Sequence, residues 1–279
     1  MVGLVQLLLL VAVAGVVGVS SRTSFAVGTG RMLSRKISHA SGALIRQLHH
    51  DASIEVVLKR GDDEQHVVWE VDEGWAKLLK GPIVEVGKSA TRITEHRSDR
   101  RLTRYSGVYL LCLPGETCVN RLVITTRSIE YIWQQPLGGA VTSEDTWELD
   151  KLFVVAKSRL AHATISLNVQ AADVQVNAFQ GALRLRGETE NLGMVMVRDI
   201  PTHAKFVLDA TELRATEASL PLPLADVEIR ANVEKSLKVR LPSNCKEKPK
   251  GRVGYHGTPA VNADLNEYAD RVYQISKYN

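Results

Sequence analysis

The sequence predicts a mostly-β fold: a stack of short strands arranged as a sandwich, a barrel or a coiled β-solenoid. Three observations predict it. Apolar residues recur in skip-one pairs, which places both partners on one side of a strand. The pairs are Val174/Val176, Leu183/Leu185, Val195/Val197, Phe206/Leu208, Val227/Ile229, Leu237/Val239 and Val253/Tyr255. They recur about every ten residues, with polar or glycine-bearing corners between them, the spacing of one short strand plus one turn. The interval widens between Leu208 and Val227, where Leu213/Ala215 form a weaker pair. Finally, few segments beyond the leader hold a helical period.

The leader comes first. Met1 to Ser21 carries no charge, and Leu4 to Val19 is almost wholly apolar. That is the length of a secretory h-region and slightly short of a bilayer span of ~20 residues. Gly18/Ser20 or Ser24/Ala26 fit the −3 and −1 positions of a cleavage site. Residues 1–21 are therefore read as a signal peptide, with a hydrophobic membrane-anchoring helix second. Residues 22–50 are an acid-free basic linker or targeting segment. Their Arg, Ser and spaced apolar residues also suit a mitochondrial presequence. Residues 51–262 form the β-domain, and 263–279 a tail or short capping helix.

Within the β-domain, Ile54, Val56 and Leu58 alternate, Lys59 to Asp63 turns, and His66 to Val71 returns, which predicts a hairpin. Asp72 to Leu79 suits a helical turn. Strands are expected at Ile83–Val86, Val108–Leu113, Arg121–Thr126, Ile129–Trp133 and Leu152–Ala156. The loop Gln134–Asp145 holds Pro136, Gly138 and Gly139. At the end, Leu265, Tyr268, Val272 and Ile275 fall on one helical face, and such a helix would cap the open end of a stack.

Composition bounds the function. The 279 residues are 44% apolar and 24% charged, as in a globular chain of one or two domains. Residues 1–50 hold five basic side chains, Arg22, Arg31, Arg35, Lys36 and Arg46, and no Asp or Glu. The formal net charge of +4 is therefore a property of the leader. Residues 51–279 set 30 basic against 31 acidic residues, so the folded part shows no bias toward nucleic acid.

Several phrases in order along Ser53 to Val261 resemble the head-GIN domain family, described as auto-transporter adhesins. The opening strand and turn, Ile54-Glu55-Val56-Val57-Leu58-Lys59-Arg60-Gly61-Asp62, followed by Val67 to Asp72, is similar to the family's start. The family's corner of small residues, Asp, then apolar-x-apolar is matched by Ala171 to Val176 and by Leu224 to Ile229. Asp209-Ala210-Thr211-Glu212-Leu213 resembles its Asp-Ala-x-x-Leu step, and Val253 to Val261 its closing Tyr-x-Gly-x-Pro phrase. Most of the family's Gly-Ser-Gly corners are missing here, and corners without glycine must be wider, because glycine tolerates positive φ. The resemblance, to a distant relative, implies a β-solenoid, export to a surface, and no catalytic residues.

The residues that could carry chemistry are few. Cys112 and Cys118 flank a Pro-Gly turn and can close a disulfide in an oxidising compartment, leaving Cys245 unpaired. The three cysteines match no zinc pattern. Lys88, Arg92, Arg97, Arg100, Arg101 and Arg104 form a basic run that suits either an anionic partner or a solvated edge. Asp173, Asp199, Asp209 and Asp226 recur at corners, where Asp commonly bonds its own backbone. No nucleophile motif, phosphate loop, dinucleotide fingerprint or metal-ligand spacing is present, so no catalytic residue, cofactor or metal is expected.

The reading that fits best is a non-enzymatic, secreted or membrane-anchored adhesin-like protein at the cell surface, binding a partner protein or glycan. The alternative is an accessory subunit of a membrane complex, such as one in the mitochondrial inner membrane, anchored by Leu4–Val19. A polysaccharide-active β-solenoid enzyme is third.

Overall fold

The structure, a computed structural model, describes residues 25–37, 45–61, 65–86, 90–95, 109–160, 163–178, 181–197, 206–242, 248–263 and 265–276. The apolar leader, Lys88, Cys245 and Asp199 lie outside them. Among the described residues no helix is long and apolar enough to cross a membrane. The chain divides into two compact units. One comprises 1–35, 69–81 and 95–120; the other comprises 36–68, 82–94 and 121–279.

The larger unit is a β-solenoid, within a chain of about six turns. Its body is five long strands: β11 (Val141–Ala156), β12 (Ile165–Ala178), β13 (Leu183–Val197), β14 (Phe206–Pro221) and β15 (Glu228–Arg240). Each pairs in parallel with the next. Two short strands complete the following turn on β15: β16 (Arg252–His256) on its first half and β17 (Ala260–Ala263) on its second.

Alternation explains why these segments are strands, and its breaks explain why they bend. In β12 the buried residues are Ile165, Leu167, Val169 and Ala171, then Val174, Val176 and Ala178. The phase slips by one at Ala172-Asp173, so two successive residues face outward and the chain turns a corner. β15 bends without a slip: its buried residues keep one phase from Ile229 to Val239, and exposed Glu234 and Lys235 lie between buried Val233 and Leu237. The corners were expected as breaks between short strands. They are instead bends in continuous ones, so a full turn spans about twenty residues, roughly two of the expected repeats.

The interior follows from the register. Leu122, Val56, Val141, Ile165, Leu183, Leu208, Ile229 and Val253 are successive neighbours in one column, and all are buried. Each such side chain contributes about 1.5–3 kcal/mol on burial. A second column, Trp147, Val169, Gly187, steps from the largest side chain to none. Gly187 has φ +105°, and a Cβ there would collide with the Val169 carbonyl one turn away. No residue with a side chain fits at this position.

The N-terminal end of the stack is not in sequence order. β4 (Glu55–Arg60) lies between β9 (Asn120–Thr126) and the first half of β11, parallel to both. β10 (Tyr131–Gln134) lies between β3 (Gln47–Asp51) and the second half of β11. β7 (Thr91–Glu95) and β6 (Pro82–Val86) continue that side. An early and a late pass of the chain thus interleave.

This corrects the expected hairpin. β4 pairs with β9 and β11, not with β5 (His66–Asp72). The C-terminal helix is also corrected. Asn266–Arg271 is a short 3-10 helix, after which β18 (Val272–Gln274) pairs with β16, setting Val272 beside Val253. Extending an existing aliphatic column wins over a weak helical period.

In the smaller unit β1 (Phe25–Gly28) runs parallel to β8 (Tyr109–Cys112), near the short helix α1 (Glu73–Ala76). β1, β2 (Met32–Ile37) and all of β3 but Asp51 lie within the 22–50 stretch read as a linker.

Candidate functional site

A concavity of the solenoid follows its column of corners. Outward residues of successive turns meet in register there: Glu148, Gln170, Glu188 and Arg214 stack one above another. Asp150, Lys151, Glu190, Thr216 and Glu234 flank them. Ala171 and Ala172 supply small side chains at the middle, which leaves a groove of ≈ 1090 Å³. It runs from Gln47 on β3 to Glu234 on β15. Six strand-to-strand steps of ~4.8 Å give it a length of about 29 Å.

The groove is acidic. Glu130, Glu148, Asp150, Glu188, Glu190 and Glu234 line it against two cations, Lys151 and Arg214. Those two are engaged: Lys151 Nζ lies 3.1 Å from Asp173, and Arg214 bridges Glu188 and Glu234 at 2.5 and 3.5 Å. Glu148 pairs with Arg60 at 2.9 Å and Glu130 with Arg46 at 3.6 Å. Asp150 and Glu190 make no ion pair among the described residues.

One end is aromatic. Alternation in β10 sends Ile132 inward and Tyr131 and Trp133 outward, and β11 sends Phe153 outward beside Tyr131. Tyr131 and Phe153 stack at 5.1 Å and 10°. His49 lies 5.9 Å from Tyr131 and 5.3 Å from Trp133, and Lys157 Nζ sits 5.2 Å over the Trp133 ring. Burial raises the pKa of the Tyr131 phenol. Burial first and the Arg92 charge second lower that of the His49 imidazole. At neutral pH both are uncharged.

The residues singled out by sequence lie elsewhere. Cys112 and Cys118 are in the smaller unit, with Cα atoms 5.9 Å apart and sulfurs at 2.03 Å. Alkylation of the denatured protein without reductant is expected to label one thiol, Cys245, and three after reduction. Labelling of all three without reductant would exclude the bridge. Of the basic run, Arg92 is exposed on β7, while Lys88, Arg97, Arg100, Arg101 and Arg104 lie outside the described residues. Two of the corner aspartates have structural partners: Asp173 binds Lys151 and Gln175, and Asp209 accepts from the Thr211 backbone and hydroxyl; Asp226 is exposed. No group of three or more His, Cys, Asp or Glu converges among the described residues.

The groove was missed because its parts are about twenty residues apart in sequence. The aromatic end had a readable signal: Tyr131, Trp133 and Phe153 occupy the outward positions of their strands, where polar residues are the rule.

No protein-family model and no curated protein matches the sequence. Solved structures do. A putative adhesin from Bacteroides fragilis aligns at TM-score 0.57 and 12% identity, covering 89% of this chain and 95% of that one. A putative lipid binding protein from Parabacteroides distasonis aligns at TM-score 0.48 and 9% identity, covering 91% and 100%. A putative adhesin from Parabacteroides merdae aligns at 0.46 and 11%, also covering 91% and 100%. At such identities the likeness to the first is one of fold alone.

Proposed function

We propose that the chain is a non-enzymatic, adhesin-like binding protein of the cell surface or its exterior, taking a partner protein or glycan along the flank of its solenoid. The observation that carries this is the groove, which repeats outward side chains in register over successive turns and suits an extended ligand. The shared fold supports it.

The test is binding of the purified full chain to a panel of glycans, matrix proteins and whole cells. Saturable binding that is lost when Glu190 is changed to Lys supports the reading. Binding to nothing in the panel, or binding indifferent to groove substitutions, overturns it.

Export gives a second prediction. Phe25 and Ala26 pair with Tyr109 and Leu110 in the smaller unit. Cleavage after Ala26 would remove half of β1, whereas cleavage after Ser20 leaves it whole. The mature protein from its native source is therefore expected to begin at Ser21, as read by intact mass and N-terminal sequencing. A start between Arg31 and Asp51 would cut away β1, and would exclude the surface reading in favour of an organellar one. A full-length chain in the membrane fraction would favour an anchored subunit.

A further inference from the structure

We infer that the groove takes an extended, Lys- and Arg-rich segment of a partner polypeptide. The inference rests on the proposal that this flank is the binding face, and it names the chemistry of the partner.

The charges decide the sign. Six carboxylates line the groove; Lys151 and Arg214 within it and Arg60 and Arg46 beside it are all paired with carboxylates, and Asp150 and Glu190 make no ion pair among the described residues, so the face stays net negative. An anionic polymer meets net repulsion here. A neutral chain leaves Asp150 and Glu190 without a counter-charge. Side-chain ammonium and guanidinium groups supply one, and Arg fits carboxylates in a bidentate fork.

The aromatic end points the same way by a separate route. Tyr131 and Phe153 each cover one face of the other, which halves the aromatic surface open to a ligand. The adjoining Trp133 already carries an ammonium over its ring, that of Lys157, and the electron-rich face of an indole attracts cations in general. The length of about 29 Å accommodates roughly nine residues of extended chain at ~3.3 Å each. An extended peptide also presents side chains at regular intervals, as the turns present their carboxylates.

The experiment uses the full chain and fluorescein-labelled poly-L-lysine, read by fluorescence anisotropy at low and at physiological ionic strength. Saturable binding that weakens with salt is expected, because exposed charges are screened. D150N/E190Q is expected to bind about fivefold more weakly, and D150K/E190K at least tenfold more weakly. Both positions are exposed, so the thermal midpoint should not move. The control D226K/D270K makes the same change in net charge as D150K/E190K at exposed sites that do not line the groove, and is expected to bind nearly as the unaltered protein does.

Equal weakening by the groove and control variants would reduce the effect to overall charge and overturn the inference. Tighter binding of chitosan oligomers, with displacement of poly-lysine, would overturn it in favour of a cationic glycan. Failure of poly-lysine to bind while the wider panel still binds would remove this inference and leave the binding reading standing. Failure of both would remove the binding reading as well.

Discussion

Replacing Asp72 by Ala is expected to release the N-terminal strand of the smaller unit and to destabilise that unit by about 3 kcal/mol, the loss of several charge-assisted bonds at ~1.5–3 kcal/mol each less what water recovers. The side chain is buried, and its carboxylate gathers three backbone donors. Thr29 N lies 3.0 Å from both oxygens, Gly30 N 2.8 Å from Oδ2, and Gly74 N 2.7 Å from Oδ1. The last bond caps helix α1, which at four residues cannot satisfy its own first turn. The other two clamp the segment after β1. Ala leaves all three donors without an acceptor.

Thr29 is exposed, so water reaches part of the site and limits the loss. The Asn variant keeps one acceptor oxygen and should lose about half as much. Hydrogen exchange reads the effect directly. Protection of the Gly30 and Gly74 amides should fall in the Ala variant, while the ladder amides of β12 to β15 keep theirs. Unchanged protection at Gly30 and Gly74 would show that Asp72 is not the clamp. A single global unfolding curve would mislead here, since two compact units need not melt together.

Much of this architecture was legible, and the boundary of legibility has a physical cause. Skip-one pairs such as Val174/Val176 and Leu237/Val239 mark the inward face, because the strand period is local. Corners such as Ala172-Asp173 were visible for the same reason. Whether a corner ends a strand or bends it depends on the next turn, which holds the backbone bonds in place across residues 171 to 174, and that is not a local property. The interleaving of β4 between β9 and β11 is wholly non-local. An alternating segment announces a strand but carries no address for its neighbour, so Ile54–Leu58 and His66–Val71 read as a hairpin by proximity. Val272 and Ile275 read as a helical face for a similar reason: the column that claims Val272 is built by Val253 and its predecessors. The groove is the extreme case, since it exists only once Glu148, Gln170, Glu188 and Arg214 are stacked.

Acidification is expected to weaken the larger unit through His50. This residue is fully buried in β3, in register with Gln134 and Ile93, and burial holds its imidazole down to about 4, with the Ile54 backbone opposing in part. In the unfolded chain the ring titrates near its ordinary ~6.5. Between these values the unfolded state binds the proton and the folded state refuses it, so stability falls as pH falls. The contribution is intact above about pH 6.5 and is progressively lost toward pH 4, with a total of about 3 kcal/mol at ~1.36 kcal/mol per pH unit.

Most of that change, about 2 kcal/mol, should be visible between pH 7.5 and 5, where most ordinary carboxylates remain ionised. Urea unfolding read by pulsed hydrogen exchange of the β12 to β15 amides, which belong to the larger unit alone, measures it across this range. His49 titrates in the same sense but is only partly buried, so the isolating comparison is His50→Leu, whose stability should vary much less with pH than that of the unaltered protein. Parallel pH profiles for the two would rule out His50 as the source. The consequence extends to the groove. β3 supports β10 through the pairs Leu48–Ile132, His49–Trp133 and His50–Gln134, and β10 carries Tyr131 and Trp133. Protonation that loosens β3 therefore loosens the aromatic end first, and ligand affinity should fall with acid before the long strands β12 to β15 lose protection.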